Sequence, residues 1–335
     1  MRHFAFIFAS LLGLCAAVPP SAAGGRIEAI KARGSLTCGI VIRVRGFTEI
    51  APDGSTVGFE PDLCRAVAAA ILGPDAQVQF VTTDHIENFL LTGEPDVVAR
   101  RLTVTLRREL EPGLVFSRVV FFDGTALLVH SDSEFTAPAA LASKTVCARG
   151  QSEAEGGLRA YFSRRNLTLE VHTEPDLPAA TAAFERGDCE ALAADLSELA
   201  PIKAAQPGRL TILPEILSRE PLALLAHADD AQFTAIVDWT MNALLAAEEL
   251  GVTQAMAKAP SEITDQEAGQ LLGQDPGNGA VLGLRESWAA DAIAATGNYG
   301  EIYARNLGED SPIKLPRGYN ALWRDGGLLY ALPLR

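Results

Sequence analysis

The stretch from Asp96 to Glu109, DVVARRLTVTLRRE, holds a dense set of residues suited to gripping an anion. Alternation from Asp96 to Arg101 has the period of a half-buried strand. That strand ends on two arginines, and Thr103, Thr105, Arg107 and Arg108 follow. Hydroxyls and guanidinium groups just past the carboxyl end of a strand have the layout of a ligand site in an open α/β sheet. The planar fork of arginine meets a carboxylate through two parallel hydrogen bonds. A solvated basic turn is the plainer alternative.

Three other places offer matching chemistry. Phe47 follows a β-rich run, Leu36 to Val44, and could present an aromatic face. Arg149, Ser152 and Glu153 follow a second such run at the start of a helix. Asp195 ends a third. Aromatic face, guanidinium, helix amino end and lone carboxylate together suit a zwitterion held between two lobes. The plainer alternatives are a core Phe47, an Asp195 that caps the next helix, and an Arg149–Glu153 pair bridging on the surface.

The elements that must position these groups repeat in two halves. In the first, the strand Leu36–Val44 leads to a helix that Asp62 can cap and Gly73-Pro74 ends. Val78–Val81 follows as a strand. Asp84 and Glu87 have capping-box spacing, and Asp96–Arg101 is the next strand. In the second, Lys144–Ala148, Leu167–Val171, Glu190–Asp195 and Leu210–Leu213 read as strands with helices between them. Alternating strands and helices predict parallel α/β sheets. Gly124–His130 and Glu220–His227, apolar and extended, join the halves. A long helix from Asp230 to Leu250 then returns the chain to the first half. The remainder carries short helices, with Trp288 and Trp323 as expected packing anchors. The expected parts are a signal peptide over 1–23, a first lobe over 24–125, a second lobe over 126–222, and a return with a C-terminal helical extension over 223–335.

Length and composition fit this plan. The chain has 335 residues, 48% hydrophobic and 21% charged, enough for about two domains with real cores. Arg2 and His3 lead an apolar run, Phe4–Val18, closed by Ser21-Ala22-Ala23, the pattern of a secretory signal. The run is shorter than the ~20 residues a spanning helix needs. The formal net charge is −14, which argues against nucleic acid or anionic lipid as partners. Four cysteines follow the signal: Cys38, Cys64, Cys147 and Cys189. An even number in an exported chain favours disulfides. Of three possible pairings, Cys38 with Cys64 and Cys147 with Cys189 keeps each bond within one half. No spacing is that of a zinc site, so neither a metal nor a cofactor is expected.

Several blocks resemble the periplasmic substrate-binding proteins of polar amino-acid ABC transporters, solute-binding protein family 3, and within it the general L-amino-acid branch. They are GFEPDLCRAV from Gly58, TGEPDVVARR from Thr92, SREPLAL from Ser218, DWTMNALLAAEELGVTQA from Asp238, GNYGEIYARNLG from Gly297 and NALWRDGGLLYA from Asn320. The resemblance implies a type II periplasmic-binding-protein fold: two α/β lobes, each a doubly wound sheet, with a hinge of two crossing strands and a C-terminal helical extension. It implies an extracytoplasmic receptor, a monomer, that captures a small amino-acid-like ligand and delivers it to ABC transporter permease subunits. By position it implies that Arg108 binds the α-carboxylate, Asp195 holds the α-ammonium, Phe47 lies against the ligand and Thr103 supplies a hydroxyl. The cysteine positions match the branch as well.

The departures concern the pocket. The branch usually has Asn, Thr and Trp where this chain has Arg101, Leu102 and Val104. It has Gln-Ser-Gly-Thr-Thr where this chain has Arg149-Gly150-Gln151-Ser152-Glu153. Glu153 would repel a ligand carboxylate unless Arg101 or Arg149 pairs with it, and the added arginines point to a ligand more negatively charged than a neutral amino acid. Two other functions fit the same frame. One is a periplasmic enzyme resembling cyclohexadienyl dehydratase, with Glu153 as general acid. The other is an orphan sensor that signals instead of transporting.

Overall fold

The computed structural model describes residues 25–334 apart from 43, 83–88, 90–91 and 261–262. The expected signal peptide and the Asp84–Glu87 capping box lie outside the described residues. The strands are β1 (Ser35–Ile40), β2 (Glu49–Ile50), β3 (Thr56–Val57), β4 (Gln77–Thr82), β5 (Val97–Thr103), β6 (Leu114–Asp123), β7 (Thr125–His130), β8 (Thr145–Arg149), β9 (Glu170–Glu174), β10 (Ala191–Asp195), β11 (Leu210–Ile212) and β12 (Glu220–His227). Two five-stranded sheets result, in the orders β4-β1-β5-β12-β6 and β11-β7-β10-β8-β9, and β2 and β3 form a small hairpin. In the first sheet β1 runs parallel to β4 and β5, while β12 is antiparallel to β5 and β6. The second repeats this plan, with β8 parallel to β9 and β10, and β7 antiparallel to β10. The arrangement is the two-lobed type II architecture, each sheet flanked by helices.

Burial follows from position in the sheet. Central β1 is buried at all six residues, as a parallel strand covered on both faces must be. The chain passes between lobes at Gly124, which separates β6 from β7, and again over 213–219 between β11 and β12. Asp123 closes the first passage, its carboxylate accepting from Gly124 N (2.9 Å) and from Ser197 N of the second lobe (3.1 Å). Ser218 closes the second. Its Oγ accepts from Thr125 N at 2.8 Å and lies 2.7 Å from Glu220 Oε1.

The first lobe's helix Phe59–Leu72 begins at Gly58, earlier than a cap at Asp62 would place it. Asp62 lies inside the helix and takes hydrogen bonds from Arg305 Nη2 (2.7 Å) and Asn306 Nδ2 (2.8 Å), tying the C-terminal extension to this lobe. The long return helix runs from Ala231 to Glu249, capped by Asp230 Oδ1 accepting from Phe233 N at 2.8 Å. The extension adds the helices Trp288–Thr296 and Tyr299–Asn306. Trp288 is 2% exposed and anchors it, whereas Trp323 is 61% exposed and does not. β9 also sits later than Leu167–Val171, because residues 166 and 167 close the preceding helix through bonds to Ser163 O and Phe162 O. Cys38 pairs with Cys64, joining β1 to its covering helix, and Cys147 pairs with Cys189 in the second lobe.

Candidate functional site

Phe47, Arg101, Ser197 and Glu198 meet where the two lobes face each other. Phe47 is set by the loop after β1, and Gly58 is what lets the chain close over it. Gly58 has φ 133°, and a Cβ there would come 2.3 Å from Phe47 O. The Phe47 ring is 2% exposed and packs edge-on against Phe121 (5.1 Å) and Phe59 (6.0 Å). Its role in the core is therefore substantial, and the Arg101 guanidinium lies over the ring at 5.9 Å.

Arg101 reaches that position through an irregularity in β5. Leu222 pairs with Thr103 and Ala223 with Leu102, but Leu225 pairs with Val98. The extra residues on β5 form a bulge, and within it Arg101 adopts φ 52°, in the left-handed region that costs a side-chain-bearing residue energy. A bulge re-aims the side chain it carries. The Arg101 N–H is held by the Glu60 carboxylate, whose other oxygen accepts from Thr48 Oγ1 at 2.9 Å. The guanidinium crosses to the second lobe, donating to Ser197 Oγ at 3.2 Å and facing Glu198 Oε1 at 3.7 Å.

Glu198 is the residue that sequence reasoning missed. It takes a second guanidinium, Arg149, at 3.9 Å. The expected partner of both arginines, Glu153, is exposed at the first turn of the helix Glu153–Arg164. The charge added by Arg101 and Arg149 is thus offset within the chain, and the two do not make the cleft as cationic as their sequence suggests. Ser152 caps the same helix, its Oγ accepting from Glu155 N at 3.1 Å and donating to Arg149 O at 2.7 Å.

Asp195 occupies the N-cap position of the helix Leu196–Ala205, yet its side chain makes no capping hydrogen bond. Asp123 serves Ser197 N instead. Burial, then the negative charges of Asp123, Glu220 and Glu198, push the Asp195 carboxyl up to about 8, against the opposing pull of Arg101. Burial likewise raises Asp123 to about 6 and shifts Glu220 upward, with Glu153 and Glu198 adding to the shift of Glu220. Burial is the largest cause of all three shifts and neighbouring acids add to those of Asp195 and Glu220, so a cation placed among these carboxyls would favour their ionised forms. Thr103 ends β5 as a buried residue, and Arg108 donates from Nη1 to Thr103 O at 2.9 Å. Among the described residues no cluster of His, Cys, Asp and Glu could hold a metal ion.

Residues 36–258 match the family described as bacterial extracellular solute-binding proteins, family 3. The chain is 36% identical over 326 residues to the general L-amino acid-binding periplasmic protein AapJ of Rhizobium johnstonii, covering 95% of this chain and 96% of that one. It is 36% identical over 335 residues to the glutamate/glutamine/aspartate/asparagine-binding protein BztA of Rhodobacter capsulatus, covering 98% of each. Among solved structures it is similar to an ABC transporter periplasmic binding protein from Brucella ovis with glutathione bound. The TM-score is 0.83 at 35% identity, covering 92% of this chain and 99% of that chain.

Proposed function

Because this chain belongs to family 3 of the bacterial extracellular solute-binding proteins, we propose that its interlobe cleft captures an L-amino acid for delivery to an ABC permease. The observation that carries this reading is the Asp195 carboxyl, set on a helix it does not cap and lifted to about 8 by burial among other acids. Such a group gains most from a bound ammonium. In this assignment Asp195 holds the α-ammonium, and Arg108 supplies the α-carboxylate grip with Thr103 beside it. Phe47 and Arg101 border the space for the ligand's side chain. The protein works as a monomer in the periplasm after export, and its lobes close on the ligand by rotation about Gly124 and residues 213–219.

Binding and not catalysis is the proposed role, in keeping with full-length relatives that are named binding proteins. Incubation with prephenate should produce no phenylpyruvate absorbance. The test of binding is a calorimetric titration with neutral, acidic and basic L-amino acids. At least one should bind, and Asp195→Asn should weaken it by about 2–5 kcal/mol, the cost of leaving a charged partner unpaired. Arg108→Ala should do the same from the carboxylate side. Unchanged affinity in both variants would remove the assignment.

A further inference from the structure

We propose that Arg101 is a tethered occupant of the ligand's side-chain subsite, which tunes the cleft toward short or uncharged side chains and against guanidinium and ammonium tails. The inference rests on the reading that the cleft takes an amino acid. It deepens that reading by assigning one residue the choice among amino acids.

A receptor for a free guanidinium offers an aromatic face, a hydroxyl acceptor and a carboxylate. The Arg101 side chain, 17% exposed, already has all three: the Phe47 ring at 5.9 Å, Ser197 Oγ at 3.2 Å and Glu198 Oε1 at 3.7 Å. Two of these partners belong to the second lobe and one to the first, so the side chain spans the cleft instead of lying along its own lobe. The β5 bulge and the left-handed backbone at residue 101 aim it there, and a strained conformation that points a charged group into a cleft is a common mark of function.

Charge leads to the same conclusion. Arg101 favours the ionised forms of Glu60, Asp123 and Asp195, and it also faces Glu198. A ligand with a cationic tail would meet that guanidinium and be repelled. With the side chain removed, four acids lose a shared cation. An opening bordered by Phe47, Glu60, Ser197 and Glu198 would remain, with Arg149, 42% exposed and 3.9 Å from Glu198, and Arg100, which also favours the ionised form of Glu60, as cations nearby. That opening is opposite in charge to the guanidinium it lost.

The experiment uses Arg101→Gly, since glycine takes φ 52° without strain. A parallel variant, Arg101→Asn, keeps a residue tolerated at positive φ should the glycine chain fold poorly. Calorimetry with L-arginine should show a gain of at least about tenfold over the wild type in either variant. Millimolar methylguanidinium should raise the melting temperature of the variants and leave that of the wild type unmoved. Adding Glu198→Gln to Arg101→Gly should remove both gains. The proposal is overturned if the variants bind L-arginine no better than the wild type and do not respond to methylguanidinium. It is equally overturned if the wild type already binds L-arginine as tightly as they do. If the wild type binds no amino acid while methylguanidinium still stabilises only the variants, the tether stands and the amino-acid reading of the cleft fails.

Discussion

If Asp195 holds the ligand's ammonium, as proposed, the cleft's affinity depends on pH in a direction that can be worked out. At about 8 it is mostly protonated at neutral pH in the free protein, whereas a bound ammonium favours the ionised form. Capture of a cationic group must therefore expel a proton, and affinity should rise as pH climbs from about 6 to about 8, by no more than about tenfold per unit for one group. Calorimetry in buffers of different ionisation enthalpy reads the released proton directly, and a pH-independent affinity would contradict the assignment. The same raised value acts on the free fold with the opposite sense. The folded state keeps a proton that the unfolded chain loses near 3.8, so this group's contribution to stability is full at low pH and declines toward pH 8. Glu198 shows why such a site is hard to read from residue types. Asp195 and Glu198 stand three apart, the spacing of a capping box, yet Asp195 makes no capping bond and Glu198 faces two arginines. Local spacing suggested a helix start; the acids surrounding it across the lobe boundary set its chemistry.

At the scale of elements, two backbone features place the site: the bulge in β5 and the tight closure at Gly58. Replacing Gly58 by Ala would put a Cβ 2.3 Å from Phe47 O at a φ of 133°, a region closed to side-chain-bearing residues. A loss of about 1–3 kcal/mol is expected, read as a lowered denaturation midpoint, together with weaker ligand binding because Phe47 shifts under Arg101. A midpoint equal to the wild type's would show that this closure is not required. Most elements were legible in advance. The strand ending in Asp195, the helix capped by Ser152 and the long helix capped by Asp230 follow from period and end signals that act within a few residues. The start of Phe59–Leu72 was not, because Asp62 looks like a cap but is held by Arg305 and Asn306, which lie 243 and 244 residues away in sequence. The bulge was not either, since it is a mismatch between two strands and belongs to neither alone.

At the scale of the whole molecule, each lobe is closed by its own disulfide and the extension by bonds back to the first lobe. Asn320 clasps Phe122 through both its N–H and its C=O, at 2.6 and 3.1 Å, one residue from the buried Asp123 that closes the first interlobe passage. Cys38–Cys64 and Cys147–Cys189 span 26 and 42 residues, and loops of that size give about 3–4 kcal/mol each by restricting the unfolded chain. Reduction should lower the denaturant midpoint accordingly while saturating ligand restores part of it. A midpoint indifferent to reductant would show that the bonds add little to the fold.

The sequence by itself determined the two-lobed α/β plan and the expectation of disulfides with their pairing favoured within each half. Each of these depends on apolar period, turn residues and spacing within a half of the chain. Only the tertiary structure decided what Arg101 does. Its partners Ser197 and Glu198 lie in the other lobe, 96 residues away from it in the case of Ser197, and the direction of its side chain depends on strand register and a left-handed backbone. A guanidinium is the same group wherever it stands; which carboxylate meets it is settled by packing between lobes, and that no local pattern encodes.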